Sequence, residues 1–460
     1  MRSFLLKALK DIFTPGRVRT NADDLAAWGV DWTRNFKAAP GAIVFPETVD
    51  EVVALTGLAN AQGLALVPSG GRTGLSGGAV AADGEVVVSF DRMNRILAFD
   101  PVNRLARCQA GVVTAALQAY AHERGLCYPV DFGSSGSSQI GGNVATNAGG
   151  IRVIRYGLTR DWIAGLKVVA GTGALLDCNN GLVKNATGYD LRHLFIGSEG
   201  TLGFIVEAEV RLRPPPPPQR VMVLGLNGLA AILPVLEAFQ AALALSAFEF
   251  FSELALTHVV AHRRLQRPLD KAAPFYALIE FDAAAEDTAL GVFQAAVERN
   301  WVADGVISQS DAQAASLWAL REGITESIAP LTPYKNDLSV RVSDVPDFLD
   351  EVDRIVGESY PEFEICWYGH IGDGNLHLNI LKPESLATDE FYEQCHRISP
   401  ALFAAVRNRG GSISAEHGVG LLKRDFLEFS RSPAEIELMR GVKAVFDPNG
   451  VMNPGKLLSG

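Results

Sequence analysis

Histidine and carboxylate side chains with metal-ligand character occur in two short motifs of the C-terminal half. The first motif, Y-G-H-I-G-D-G-N-L-H-L-N over residues 368–379, holds His370 and His377 on either side of a glycine-rich turn. The second, S-A-E-H-G-V-G over residues 414–420, adds Glu416. Two imidazoles and a carboxylate form a donor set typical of catalytic metal sites, and Zn²⁺, Fe²⁺ and Mn²⁺ all accept it. A hydrogen-bonded structural role for each histidine is the alternative that spacing alone leaves open.

A β-strand has to position part of this set. His377 and Asn379 are two residues apart, so in a strand they share one face while the leucines beside them face a core. The five prolines of residues 214–218 cannot donate to a sheet and indicate a domain boundary upstream. Strand and helix patterns alternate beyond it, which predicts an α+β domain with helices on one face of its sheet.

Three glycine-rich stretches in the N-terminal half predict a cofactor site. They span residues 68–78, 129–150 and 194–203. Glycine lets the backbone approach a ligand closely, and neighbouring N–H groups can then converge on an anion. We expect the longest stretch to form no helix, because each interior glycine costs about 0.5–1 kcal/mol relative to alanine. The chain contains no G-x-G-x-x-G motif, which argues against a nicotinamide-binding domain. A flexible linker is the alternative interpretation.

Composition restricts the class of protein. The 460 residues predict two to three domains, and 41 basic against 52 acidic residues give a net charge of −11, which argues against nucleic acid as a partner. The five cysteines form no C-x-x-C pair, which indicates a reducing compartment and hence the cytoplasm. No apolar run predicts a transmembrane segment. Residues 1–13 have helical spacing and predict a packed surface helix, with peripheral association with a membrane as the alternative.

The motifs taken together resemble one family. The runs N-V-A-T-N-A-G-G, K-N-A-T-G-Y-D and F-I-G-S-E-G-T-L-G closely resemble the flavin-binding half of the vanillyl-alcohol-oxidase/p-cresol-methylhydroxylase superfamily. The two histidine motifs and D-P-N-G-V-M-N-P-G-K resemble its D-2-hydroxy-acid dehydrogenase branch. The resemblance implies an α+β fold. It consists of a two-subdomain FAD-binding domain of the p-cresol-methylhydroxylase type (residues 1–218), a substrate or cap domain with an antiparallel sheet (219–405) and a C-terminal segment (406–460). That segment would complete the active site and return to the FAD domain.

FAD is the cofactor that this resemblance implies. Some members attach the flavin through a histidine or cysteine of the first glycine-rich stretch, and this chain has neither there, so the FAD is expected to be non-covalent. The residues expected to bind it are Pro68, Ser69, Gly70, Gly71, Arg72, Thr73, Gly74, Ser76, Pro129, Asp131, Gly133, Ser138, Gly141, Gly142, Asn143, Thr146, Asn147, Gly150, Glu199, Gly200, Ile205 and Asn453.

The resemblance also implies the reaction. The runs L-W-A-L-R-E-G-I-T-E (residues 317–326) and Y-K-N-D-L-S (334–339) look most similar to members that act on D-2-hydroxyglutarate, which would be oxidised to 2-oxoglutarate. Arg321, Thr325 and Lys335 would hold the second carboxylate, and Asn379 would assist at the first. His417 would contact the substrate as the general base, with hydride transfer to flavin N5. Other D-2-hydroxy acids, such as D-lactate, D-malate or glycolate, are the alternative substrates. Lactate or glycolate would need no further cation, and the alternative for Arg321 and Lys335 is that they are solvated surface charges.

The reaction needs an electron acceptor, and the resemblance implies an electron-transfer flavoprotein or a quinone-linked acceptor, as well as a homodimer. Two functions of other classes remain open on the sequence. A metallohydrolase could use the same two histidines and carboxylate to activate water, although it would leave the glycine-rich stretches unexplained. The other is a non-catalytic flavin-binding subunit. Such a subunit would be expected to have lost part of the metal set, whereas His370, His377, Glu416 and His417 are all present.

Overall fold

The computed structural model describes residues 3–33 and 35–459. Its strands are β1 (Val18–Arg19), β2 (Ala42–Val44), β3 (Leu66–Ser69), β4 (Val86–Ser89), β5 (Ile96–Asp100), β6 (Leu105–Gln109), β7 (Ile163–Ala170), β8 (Leu175–Cys178), β9 (Gly203–Arg211), β10 (Gln219–Leu226), β11 (Leu245–Ser252), β12 (Phe275–Asp282), β13 (Val302–Ile307), β14 (Tyr334–Ser339), β15 (Glu364–His370) and β16 (Asn375–Leu381).

α-Helices make up most of the remaining regular structure. They are α1 (Ser3–Ile12), α2 (Ala22–Trp28), α3 (Val49–Gln62), α4 (Thr114–His122), α5 (Ile140–Thr146), α6 (Val153–Tyr156), α7 (Thr159–Trp162), α8 (Arg192–Phe195), α9 (Ile232–Ala242), α10 (Glu253–Arg263), α11 (Glu286–Glu298), α12 (Asp311–Glu322), α13 (Ile324–Ser327), α14 (Val345–Ser359), α15 (Thr388–Asn408) and α16 (Pro433–Phe446).

The chain divides into two compact units. The first unit takes the described residues of 1–150, 157–215 and 416–460, and the second unit takes 151–156 and 216–415. The division at residues 215 and 216 falls inside the proline run. A proline run is stiff and has no N–H groups for a sheet ladder, which suits a connection between units.

The first unit contains two sheets. One has the strand order β1-β2-β4-β3, with β2, β4 and β3 parallel, and the other is antiparallel with the order β5-β6-β9-β7-β8. Helix α3 between β2 and β3 begins at a capping box formed by Thr48 and Glu51 and ends at Gly63, whose φ of 64° is left-handed.

The amino-terminal helix is packed in the first unit. Leu5, Leu9 and Phe13 are buried in the same hydrophobic cluster as α3. The predicted helix over residues 1–13 is therefore confirmed from Ser3 onward as a packed helix, while Met1 and Arg2 lie outside the described residues. Across the part of the chain that is described, no helix is long and apolar enough to cross a membrane.

The longest glycine-rich stretch is not entirely a loop. Residues Ile140–Thr146 form α5, so the expectation that no helix forms there was wrong. Tertiary packing overrides the propensity, because a Cβ at Gly141 would lie 2.6 Å from the Cβ of Ala110. A larger residue at this position would push α5 away from Ala110, which lies just after β6. Glycine is therefore required because the two segments approach each other closely, and not because the chain has to be flexible there.

The second unit is built on one antiparallel sheet with the strand order β13-β10-β12-β11-β15-β16-β14. Val221 and Val223 of β10 pack with residues of α10 and α12 on one face. Leu224 points to the opposite face, where Phe293 of α11 lies beside it. Helices therefore cover both faces, and the predicted arrangement on one face was wrong. The antiparallel sheet of the α+β fold is as predicted.

Candidate active site

The three glycine-rich stretches converge in the first unit. A Cβ at Gly71 would lie 2.1 Å from the carbonyl oxygen of Ser137, so the first stretch runs directly against the second. Gly200 has a φ of 71°, and a Cβ there would lie 2.7 Å from Cγ of Pro68, so the third stretch runs against the first. Glycine is needed at residue 71 because two backbones meet there, and at residue 200 because the Pro68 ring lies against it and the backbone is left-handed.

Glu199 and Asn453 join this convergence to the C-terminal segment. The Asn453 amide donates to the carbonyl oxygens of Gly78, at 2.9 Å, and of Glu199, at 2.7 Å. The Glu199 carboxylate accepts from the backbone N–H groups of Val419, at 2.8 Å, and Gly420, at 2.7 Å. Desolvation raises the pKa of Glu199, and these two N–H groups oppose that rise. Both side chains therefore support the backbone of the predicted FAD site.

Several predicted FAD residues are held by internal hydrogen bonds. The Asn143 amide donates to the hydroxyl of Thr114 at 2.7 Å, and that hydroxyl also lies 2.8 Å from the Ser138 hydroxyl. The Thr146 hydroxyl donates to the Gly142 carbonyl, and the Asn147 side chain accepts from the N–H of residue 160. These side chains order the second stretch itself.

Arg72 does not extend away from the protein. Its guanidinium carbon lies 5.3 Å from the ring centroid of Trp28, and its Nη1 lies 3.5 Å from Asp91. The remaining predicted residues lie on the same stretches or on β9: Gly70, Thr73, Gly74, Ser76, Pro129, Asp131, Gly133, Gly150 and Ile205. Gly150 packs against Asp131, since a Cβ at Gly150 would lie 2.0 Å from the Asp131 carbonyl oxygen.

The lining of this convergence fits a polar ligand. Among the described residues, the buried atoms Ser69 Oγ, Gln139 Oε1 and Asn453 Oδ1 have no hydrogen-bond partner. A Cβ at Gly142 would meet no atom within 4 Å, in contrast to its neighbour Gly141. Buried polar atoms in proteins are normally paired, so their grouping here is consistent with a dinucleotide that supplies the partners.

In the second unit, polar residues share one face of the sheet. The cross-strand pairs Lys335–Asn379 and Asp337–His377 join β14 to β16, and Tyr368–His377 joins β15 to β16. Directly opposed residues project on the same side of a sheet. Leu376, Leu378 and Ile380 are fully buried on the other face, as the alternation in the sequence predicted.

The two histidines of the first motif lie together on that face. Their ring centroids are 5.2 Å apart, with the rings nearly perpendicular. Nδ1 of His370 lies 2.8 Å from the carboxylate of Glu249, and Nδ1 of His377 lies 3.8 Å from that of Asp337. Carboxylates commonly orient metal-ligating imidazoles from Nδ1 so that Nε2 is directed to the ion. The second unit thus supplies two imidazoles whose setting fits a divalent cation.

Arg321 lies above the same face and is buried. Its Nε is 2.9 Å from Oε2 of Glu249, and its guanidinium carbon lies 4.8 Å from the ring centroid of Tyr368. The Thr325 hydroxyl lies 2.8 Å from the Tyr368 hydroxyl. Within the described chain, Nη2 of Arg321 is buried without a hydrogen-bond partner. Arg321 and Thr325 are therefore brought to the sheet face that also carries His370, and Arg321 is not a solvated surface charge.

Lys335 and Asn379 differ in their surroundings. Lys335 is exposed, whereas Asn379 is buried and donates to the carbonyl oxygens of His377 and Cys366. Glu416 and His417 belong to the first unit and begin its last segment. Gly418 follows them with a φ of 79°, a left-handed conformation that bends the backbone directly after His417.

Three site residues were missed by sequence reasoning. Glu249, Asp337 and Tyr368 contact or face the predicted residues but stand outside the positions assigned to them. Strand β11, which carries Glu249, was not predicted either. The signal was present: Glu249 is the single charged residue in the otherwise apolar run L-S-A-F-E-F-F-S, and a charge inside a buried strand usually has a specific partner.

Comparison with known proteins identifies the family. Residues 40–179 match the model of an FAD-binding domain, and residues 215–457 match that of the C-terminal domain of FAD-linked oxidases. The chain is 59% identical over 458 residues to D-2-hydroxyglutarate dehydrogenase of Stutzerimonas stutzeri, which covers 99% of both chains. The chain belongs to the D-2-hydroxyglutarate dehydrogenase family of FAD-linked oxidases. Identity to the family member from Xanthomonas citri pv. viticola is 55%, over 96% of this chain and 94% of that one. The mitochondrial family member from Bos taurus is 39% identical, over 98% of this chain and 83% of that one.

Solved structures show the fold of this family. p-Cresol methylhydroxylase with substrate bound superposes with a TM-score of 0.76 at 14% identity, covering 100% of this chain and 98% of that one. Alkyldihydroxyacetonephosphate synthase gives a TM-score of 0.74 at 18% identity, with 99% and 86% covered. The predicted p-cresol-methylhydroxylase type of fold and the family resemblance are confirmed.

Proposed function

We propose that this chain oxidises D-2-hydroxyglutarate to 2-oxoglutarate with non-covalent FAD as the hydride acceptor and a divalent cation, Zn²⁺ before Fe²⁺ or Mn²⁺, at the substrate. The family members at 55% and 59% identity carry the name of this activity, and the FAD-binding match accounts for the glycine-rich stretches that a metallohydrolase would leave unexplained. The proposed metal ligands are His370, His377 and Glu416.

The observation that carries the choice of substrate is the unpaired N–H group of Arg321. A buried guanidinium with a free donor is costly unless a ligand completes it, and a carboxylate is the ligand that guanidinium binds best. D-2-Hydroxyglutarate has a second carboxylate to offer there. D-Lactate and glycolate lack it, and this distinguishes the proposed substrate from them.

Each residue then has a definite task. When bound, the flavin would accept the C2 hydride, and the cation would lower the pKa of the substrate hydroxyl. His417 accepts the hydroxyl proton as the general base. Arg321 binds the distal carboxylate with Lys335 and Thr325, while Asn379 orients the carboxylate next to the reacting carbon. Fixing both carboxylate ends and the hydroxyl would hold three of the four substituents of C2, so the C2 hydrogen would point in opposite directions in the two enantiomers, and only the D enantiomer would react.

The test is anaerobic reduction of the bound flavin by a panel of D- and L-2-hydroxy acids. D-2-Hydroxyglutarate should bleach the flavin at the lowest concentration. Arg321→Met should raise KM for D-2-hydroxyglutarate about 10- to 150-fold, which corresponds to a charged hydrogen bond of about 1.5–3 kcal/mol, and should change KM for D-lactate far less. Arg263→Met, which removes a more exposed arginine, is the matched control. An equal loss on both substrates, with FAD content and circular dichroism unchanged, would exclude the dicarboxylate role.

The remaining features of the proposal concern partners and location. We propose an electron-transfer flavoprotein or a quinone-linked molecule as the acceptor, a homodimer as the assembly and the cytoplasm as the location. The proposed FAD domain, cap domain and C-terminal segment span residues 1–218, 219–405 and 406–460. Reoxidation of the reduced enzyme by purified acceptors and sedimentation of the holoenzyme test the first two.

A further inference from the structure

One buried carboxylate connects two of the proposed site residues. Glu249 lies on β11 with 1% of its side chain exposed. Its Oε1 is 2.8 Å from Nδ1 of His370, and its Oε2 is 2.9 Å from Nε of Arg321. The two oxygens of a single rigid group therefore contact a proposed metal ligand and the guanidinium proposed to bind substrate.

The position of Glu249 in the sheet is costly for a charge. Its neighbours Phe248 and Phe250 are fully buried, and the strand lies between β12 and β15. Transfer of a carboxylate to such an interior is unfavourable unless charged partners compensate it. An apolar residue would complete the strand at lower cost, so stability alone does not account for a glutamate at this position.

Arg321 is oriented by the same contact. A guanidinium has five N–H donors in a fixed plane, so fixing Nε fixes the direction of both Nη groups. The Glu249 carboxylate forms an ion pair with the guanidinium at Nε, without the geometry of a hydrogen bond, and the ring of Tyr368 lies against the guanidinium. Nη2 is thereby directed into a buried position where it has no partner in the described chain.

We propose that Glu249 is a positioning residue that sets the direction of the His370 imidazole and of the Arg321 guanidinium together, so that the metal end and the distal-carboxylate end of the substrate site are fixed by one group. This inference deepens the proposed function and depends on it. Glu249 would set the distance between the two ends of the site and hence part of its selectivity for a five-carbon dicarboxylate. It would do so without contacting either the cation or the substrate.

The second unit offers a matched control. Glu280 of β12 lies on the same face of the sheet, with 3% of the residue exposed. It binds Arg152 through both oxygens and accepts from the Trp318 indole at 2.9 Å. It is an equally buried carboxylate in an ion pair, but it has no contact with His370 or Arg321 among the described interactions. Glu280→Gln should lower stability without affecting the site.

The first experiment measures metal affinity rather than activity. Holoenzyme is stripped of metal, and Zn²⁺ is titrated in competition with a chromogenic chelator. Glu249→Gln keeps the size of the side chain and removes its charge, and it should weaken Zn²⁺ binding 10- to 100-fold, the usual effect of removing an outer partner of a metal ligand. Glu280→Gln should stay within about threefold of the parent protein. His370→Asn reports on the proposed metal site itself.

The second experiment separates KM from kcat at saturating Zn²⁺. Glu249→Gln should still raise KM for D-2-hydroxyglutarate about tenfold and leave KM for D-lactate nearly unchanged, because only the longer substrate uses Arg321. If His370→Asn weakens Zn²⁺ binding while Glu249→Gln leaves both Zn²⁺ affinity and KM unchanged, the positioning role is excluded. If His370→Asn itself leaves Zn²⁺ affinity unchanged, the proposed metal set is wrong, which is a different failure. Equal effects of Glu249→Gln and Glu280→Gln on Zn²⁺ affinity and KM would show that Glu249 serves only as a structural ion pair.

Discussion

Two adjacent glycines of α5 allow the proposed FAD site to be tested without any catalytic assay. Gly141 faces protein, since a Cβ there would lie 2.6 Å from the Cβ of Ala110. Gly142 faces no protein atom within 4 Å. We expect Gly142→Ala to leave the apoprotein intact and to weaken FAD binding, whereas Gly141→Ala should destabilise the apoprotein itself.

The magnitudes follow from the two environments. Carbon atoms in contact are normally about 3.5–4.0 Å apart, so the new methyl at residue 141 overlaps its neighbour by about 1 Å and should cost about 1–3 kcal/mol. At residue 142 the methyl meets only open space, and removing glycine from a helix should stabilise the apoprotein by up to about 0.5–1 kcal/mol. If the dinucleotide lies against Gly142, the same methyl should weaken FAD binding at least about tenfold, or about 1.4 kcal/mol.

The assay uses FAD-free protein of both variants and of the parent chain. Urea unfolding followed by tryptophan fluorescence gives the stability of each apoprotein, and quenching of flavin fluorescence gives its FAD affinity. Binding of FAD by Gly142→Ala as tight as that of the parent would refute the placement of the dinucleotide against Gly142. An equal loss of stability in both apoproteins would contradict the premise that residue 142 faces open space, because the two positions would then share one environment.

Three further predictions concern the flavin, one carboxylate and the thiols. Acid precipitation of the holoenzyme should leave yellow FAD in the supernatant, and colour retained by the pellet would contradict non-covalent binding. Burial raises the pKa of Asp373 from 3.8 to about 6, so its ionised form opposes folding as the pH rises through that value. Asp373→Asn should therefore stabilise the metal-free protein above about pH 7 and not below about pH 4, by no more than about 1 kcal/mol because the residue is exposed and water screens its charge; a gain independent of pH in urea unfolding would refute this. Burial also raises the pKa of the thiols of Cys108, Cys366 and Cys395 to about 12, so a disulfide reagent should label Cys127 first in native protein, as read by peptide mapping. Earlier labelling of Cys108 would show that its environment opens in solution.

The sequence by itself determined the features that depend on short-range chemistry. Thr48 and Glu51 specify the start of α3, because a capping box is satisfied within four residues. The alternation around His377 specified which side chains of β16 face the core, because a strand has a period of two. The long motifs were specific enough to indicate the family, and the comparisons confirmed it. The assignments of individual residues to FAD, metal and substrate stay predictions.

Tertiary structure decided what local propensity could not. α5 forms in spite of its two glycines because Ala110 requires close approach, and helices cover both faces of the second sheet because β10 has buried apolar side chains on each, Val221 and Val223 on one and Leu224 on the other. Glu249 and Arg321 are 72 residues apart in the chain, and no local pattern pairs them. The sheet order places β11 beside β15, and this long-range pairing brings the carboxylate to His370. A buried charge has to find its partner in space, so the folded structure alone determines which partner it has.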